Sequence, residues 1–152
     1  MSKAPPSFEN RQARRKYEIT ETHEAGLVLT GTEVKSLRGG KCEIADAHVV
    51  VKDGELFVMN LRIEPYEHGG VYNHEEKRTR KLLMKRLEIQ RLGAKIREKQ
   101  MAAVPLKIYF NEKGKVKLLL GLGKGKKTTD RRQDEKKAQA KREMDRALKA
   151  RR

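Results

Sequence analysis

The run VPLKIYFNEKGKVKLLLGL, Val104 to Leu122, alternates apolar and polar residues twice about a single turn. Leu106, Ile108 and Phe110 share one side of an extended chain. After the polar turn Asn111 to Lys115, Val116, Leu118, Leu120 and Leu122 share one side again. A period of two belongs to a strand with one face buried, so the run predicts an antiparallel hairpin.

The same signals recur upstream. His48 to Lys52 and Glu55 to Asn60 flank Asp53-Gly54, a pair that supplies the positive φ angles of a two-residue hairpin turn. Tyr17 to His23 alternates weakly, Glu24 to Gly26 predicts a turn, and Leu27 to Thr30 begins another strand that Gly31 ends. Thr32 to Arg38 predicts a short helix closed by Gly39 and Gly40. Pro65 to Gly70 predicts a loop, Lys81 to Met84 fits strand or helix, and Ile89, Leu92, Gly93 and Ile96 mark the buried stripe of a helix of roughly three turns. Several short strands, two tight hairpins and one helix before the last strand pair lead to a mainly β chain. The expected architecture is an oligonucleotide-binding antiparallel barrel with flanking helices, with a mixed α+β sandwich as the alternative.

Composition narrows the function classes. The 152 residues include 37 Lys and Arg against 21 Asp and Glu, a net charge of +16. Such an excess repels itself unless a polyanion lies opposite, which makes nucleic acid the leading partner. The single cysteine, Cys42, rules out an intramolecular disulfide scaffold. With no secretory pattern at the start, the expected location is the cytoplasm. Apolar runs are only a few residues long, so no transmembrane helix is expected.

Charge also divides the chain. Residues 124–152 hold 13 Lys and Arg against 5 acids, which is half of the net excess. Their few small apolar side chains cannot offset the entropy of ordering, so the tail is expected to be disordered when free. Ala140, Met144, Ala147 and Leu148 nevertheless form a thin helical stripe, which a partner could fold. The expected organisation is a flexible leader over 1–10, an RNA-binding body over 11–123 and the basic tail over 124–152.

Catalytic motifs are absent or incomplete. GLGKGKKT, Gly121 to Thr128, lacks the Gly-Lys-Ser/Thr order of a phosphate loop and reads instead as a flexible basic hinge. His23, His48, His68 and His74 offer no zinc-finger spacing with Cys42, so neither metal nor cofactor is expected; His68 and His74 read as solvated or RNA-contacting. Thr30-x-x-Glu33 matches a capping box, although a carboxylate there could also accept from an unstacked base. Basic clusters at Arg11, Arg14, Arg15 and Lys16 and at Lys77, Arg78, Arg80 and Lys81 flank strands without forming a bulky amphipathic helix, which argues against a membrane anchor.

Several of these segments together resemble the SmpB family of SsrA-binding proteins. They are NRQARRKY from Asn10, EAGLVLTGTEVKSLRGG from Glu24, PYE from Pro65, NHE from Asn73, RTRKLL from Arg78, VPLKIYF from Val104 and GKK from Gly125. The resemblance implies an oligonucleotide-binding barrel and a non-enzymatic adaptor, expected as a monomer. Its implied partners are the tRNA-like domain of transfer-messenger RNA (tmRNA) and the small-subunit rRNA of a stalled ribosome. In that reading the tail enters the empty mRNA channel and becomes helical. The alternative is a ribosome-associated structural protein without a specific free RNA partner.

By the resemblance, Asn10, Arg11, Arg14, Glu33, Lys35, Arg38 and Lys41 are expected to bind tmRNA, which moves Glu33 from cap to RNA contact. Gly123, Lys124, Lys126, Lys127, Asp130, Arg131 and Arg132 are expected to form the hinge and decoding-centre part of the tail. Arg131 stands where the family usually has Lys, exchanging a point charge for a planar fork. Arg15 stands where His is common, so a titratable ring becomes a fixed charge.

Overall fold

The computed structural model describes residues 5–126, 139–144 and 146. The chain begins with β1 (Phe8–Glu9), a single helical turn α1 (Ala13–Lys16) and the long strand β2 (Tyr17–Leu27), followed by α2 (Gly31–Arg38). Strands β3 (Cys42–Glu43), β4 (His48–Lys52), β5 (Glu55–Met59) and β6 (Arg62–Ile63) come next, then a 3-10 turn at Gly70–Tyr72. Strand β7 (Arg80–Leu83), helix α3 (Arg86–Glu98) and the hairpin β8 (Ala102–Phe110) and β9 (Val116–Gly125) complete the body.

The main sheet closes on itself. Pairing runs β8-β4-β5-β7-β2-β9, and β9 pairs back onto β8, every contact antiparallel. A ring leaves no edge among its members, which removes the hazard of exposed strand edges. The barrel expected from the hairpin signals is therefore present. β1 adds to β8, and β3 and β6 form a separate ribbon beside the barrel.

Inward positions fill the ring with aliphatic side chains, as a chain without Trp requires. Leu56, Val58, Leu82, Ile108, Leu118, Leu120 and Leu122 are buried, and α3 adds Ile89 and Leu92 to the same cluster. Each such side chain contributes about 1.5–3 kcal/mol when fully removed from water. The two hairpins form where their turn residues require. Asp53 and Gly54 take φ of 51° and 76°, the mirror-image turn that matches strand twist.

Several local expectations change. Glu24 to Gly26 is not a turn, and Val28 to Thr30 is not a strand, because β2 runs unbroken to Leu27. Its alternation is regular, but Glu21 and His23 occupy the side that sequence hydrophobicity would assign to apolar residues. They are satisfied there by each other and by Lys95 from α3. Lys81 to Met84, open between strand and helix, resolves as the strand β7.

The leader expected over 1–10 is structured at its end, since Phe8 and Glu9 pair with Ile108 and Lys107. The hinge expected at Gly121 to Thr128 is strand as far as Gly125, which pairs with Tyr17. A Cβ on Gly123 would strike the backbone carbonyl of Glu18, so glycine there permits close strand approach rather than bending. Residues 139–144 of the tail are helical and exposed. Lys127, Asp130, Arg131 and Arg132, expected to form the decoding-centre part of the tail, lie outside the described residues.

Candidate nucleic-acid interface

Helix α2 sets one end of the candidate interface. Its start is the capping box read from Thr30-x-x-Glu33: the Glu33 backbone N donates to Thr30 Oγ1 at 3.4 Å, and Thr30 N donates to Glu33 Oε1 at 2.9 Å. Glu33 does more than cap. Its side chain is 0% exposed; Arg78 Nη2 donates to Oε1 at 2.6 Å and Arg80 Nε donates to Oε2.

Both Glu33 oxygens thus serve internal donors in this structure. Burial alone would raise its pKa, but hydrogen bonds from Arg78, Thr30 and Arg80 outweigh it and hold the carboxyl below its ordinary value. Arg80 is equally buried, and burial lowers its pKa, opposed by Glu33. Its other nitrogens donate to the carbonyls of Leu61, Arg78, Glu75 and Glu76. The pair thus ties α2, β7 and the loop before β7 together.

With Glu33 internal, α2 turns its cations outward. Lys35, Arg38 and Lys41 are all exposed. Lys35 Nζ sits 5.3 Å from the Tyr66 ring centroid, and the Arg38 guanidinium 5.3 Å from that of Phe110. These cation–π contacts set the charged heads themselves against aromatic faces, and both side chains remain exposed on the side a phosphate would approach.

The structure adds a neighbour that sequence reading missed. A shallow depression of about 300 Å3, lined by Leu29, Val34, Leu83, Lys115, Val116 and Lys117, lies at the α2 side of the barrel. Val28 and Leu83 are exposed apolar side chains in this region. Aliphatic side chains interleaved with lysines suit an unstacked base with phosphates beside it. The sequence held one usable signal, the paired Leu82-Leu83. Which leucine faces out depends on β7 pairing with both β5 and β2, which is not local information.

A second basic group forms at the other end of β9. Arg11, Arg14, Arg15 and Lys16 are exposed on and before α1. Lys126 N donates to Lys16 O at 2.8 Å, and Glu18 pairs with Lys124, so the tail leaves the barrel beside α1. β9 has ten residues, which at about 3.3 Å each separates its ends by roughly 30 Å. The structure therefore brings Arg11, Arg14, Lys124 and Lys126 together, and Lys35, Arg38 and Lys41 together, at opposite ends of one strand.

Asn10 belongs to the first group by position, although it does not face outward. It is 6% exposed; its backbone N donates to Leu106 O at 2.8 Å and its Nδ2 to Pro105 O at 3.0 Å, anchoring α1 on β8. His74 is half-buried and bonded within the protein through both ring nitrogens. Its Nε2 donates to Ile63 O at 2.8 Å, leaving Nδ1 to accept from Thr32 Oγ1 at 2.9 Å. Among the described residues no helix is long and apolar enough to cross a membrane.

A closed, strongly basic antiparallel barrel with cationic groups at both ends and a basic tail leaving one of them defines a small nucleic-acid-binding barrel protein. Comparison with known families makes this specific: the family model described as "SmpB protein" matches residues 7–150, and the chain belongs to that family.

Named relatives agree over nearly full length. An SsrA-binding protein of Desulforamulus reducens is 54% identical over 143 residues, covering 94% of this chain and 89% of the relative. One from Thermus thermophilus is 49% identical, covering 92% and 97%. A solved chain described as "tmRNA-SmpB: a journey to the center of the bacterial ribosome" is similar at a TM-score of 0.68 and 53% identity, over 81% of this chain and 86% of that one.

Proposed function

We propose that this chain is a non-enzymatic, cytoplasmic and monomeric RNA adaptor that binds the tRNA-like domain of tmRNA and delivers it to stalled ribosomes. The relatives are SsrA-binding proteins, and the similar solved chain comes from a tmRNA-SmpB assembly on the ribosome. The observation that carries the mechanism is the separation of the two cationic ends by the length of β9.

Lys35, Arg38 and Lys41, with the depression between Val34, Leu83 and Lys117 beside them, grip tmRNA by phosphate and base-face contacts. Arg11 and Arg14 extend the RNA contacts at the α1 end, and Asn10 holds α1 in place for them. Glu33 supports the interface from beneath. From Gly123 to Arg132 the chain leads toward small-subunit rRNA, and the tail occupies the mRNA channel when mRNA is missing from it.

Fluorescence anisotropy of the full-length protein with a tRNA-like tmRNA fragment and a shuffled hairpin, at about 0.2 M salt, tests this. Preference for the fragment is the expected result. A chain ending at Lys126 should keep that preference and lose ribosome rescue. Equal binding to both RNAs would overturn the adaptor reading and leave a ribosome-associated structural protein.

A further inference from the structure

The loop between β6 and β7 exposes what the rest of the surface hides. Val71 and Tyr72, on its 3-10 turn, are 92% and 87% exposed, the two most exposed large hydrophobic side chains among the described residues. Their display is built rather than incidental. Asn73 clasps Tyr66 through both backbone groups, with Tyr66 N donating to Oδ1 at 2.9 Å and Nδ2 donating to Tyr66 O at 2.7 Å. Tyr66 meets His68 edge-on at 5.5 Å, and Lys35 sits over its ring. His74 then pins the exit of the loop to β6 and α2. A tip held this firmly loses little entropy when something docks on it.

Charge identifies the kind of partner. Between Ile63 and Glu76 the chain has four acids, Glu64, Glu67, Glu75 and Glu76, and no Lys or Arg, in a protein of net charge +16. The acidity continues past the loop. A cleft of about 610 Å3 at its base is lined by Glu43, Asp46 and Glu76 and by Arg62 and Lys77, with Arg62 bonded to Glu43 and Glu76 at 3.0 and 2.9 Å, which leaves a small acidic excess. The loop's own carboxylates disfavour phosphate at the tip, while Lys35 over Tyr66 lies on its α2 side. An aromatic and aliphatic tip inside an acidic surround fits a cationic polypeptide.

We infer that the Gly70–Tyr72 tip and its acidic surround dock a basic protein segment of the ribosome. The inference rests on the ribosome reading above, and it adds a protein contact to one argued wholly from RNA.

The test places a photo-cross-linking benzoylphenylalanine at Tyr72 of the full-length protein, assembled with tmRNA on purified stalled ribosomes. A cross-link that survives ribonuclease, is lost to protease and maps to a Lys/Arg-rich segment of a ribosomal protein is expected. A cross-link to tmRNA or rRNA, or none in complexes that sediment with the ribosome, overturns the inference. Failure to sediment at all would instead count against the ribosome reading itself. In parallel, Tyr72→Ser and Glu67→Lys should each weaken ribosome association, Tyr72→Ser by about tenfold, with affinity for the free tmRNA fragment unchanged. Unchanged ribosome association in both variants would also overturn it.

Discussion

Glu33 and Arg80 form an ion pair in which both side chains are wholly removed from solvent, inside a protein whose surface is dominated by cations. Desolvating two charges is costly, and further hydrogen bonds offset it: Thr30 and Arg78 on the carboxylate, four carbonyls on the guanidinium. Removing one partner strands the other. Glu33→Ala is expected to destabilise folding by about 3–5 kcal/mol in urea titrations. The double variant Glu33→Leu, Arg80→Met should lie closer to wild type than either single change, because no uncompensated charge remains.

The same pair makes stability fall in acid. Glu33 has a lower pKa folded than unfolded, so the unfolded chain binds more protons as pH drops. The contribution is complete above the ordinary carboxylate value of 4.5 and fades as pH falls through the lower folded value. Thermal melts of wild type should show this acid loss, and the double variant should show it reduced.

Gly123 is the position where one methyl group would do most harm in β9. Its Cβ would fall on the Glu18 carbonyl and 3.0 Å from Ile19 Cα, both backbone and unable to swing aside. Gly123→Ala is expected to cost about 1–3 kcal/mol or more and to disturb the β2–β9 register at the root of the tail, visible as faster amide exchange there. Gly125→Ala, which meets nothing within 4 Å, should be silent by the same measure.

Salt dependence separates the two cationic ends. Each phosphate contact removed reduces the slope of log affinity against log salt by about 1. Arg38→Ala and Lys41→Ala should each do so for the tRNA-like fragment, whereas Lys124→Ala and Lys126→Ala should act on ribosome association. Equal effects of all four on both partners would contradict a division of roles along β9.

Cys42 should resist thiol reagents in the folded protein. Burial pushes its pKa up to about 12, leaving almost no thiolate at neutral pH. Labelling by a chromogenic disulfide at pH 8 is expected to follow unfolding in denaturant rather than precede it.

Much of this molecule is written in its sequence because the relevant signals are local. Two-residue periodicity gave the β8–β9 hairpin, Asp53-Gly54 the β4–β5 turn, and Thr30-x-x-Glu33 the start of α2. The charge excess pointed to a polyanionic partner. Such features depend on a residue and its near neighbours, through backbone sterics, capping bonds and alternation.

What tertiary structure alone decided is where polar groups go when they meet partners distant in sequence. The alternation of Tyr17 to His23 looked weak because Glu21 and His23 take the half-buried side, where they pair with each other and Glu21 with Lys95 across the fold. Glu33 read locally as a helix cap, and its burial beneath Arg78 and Arg80, more than forty residues later, is visible only in the fold. Gly123 looked like a hinge until a second strand pressed against it. A charge or a glycine has no fixed environment of its own; desolvation, pairing and close approach belong to the assembled barrel, and so does the separation that places the two cationic groups at opposite ends of β9.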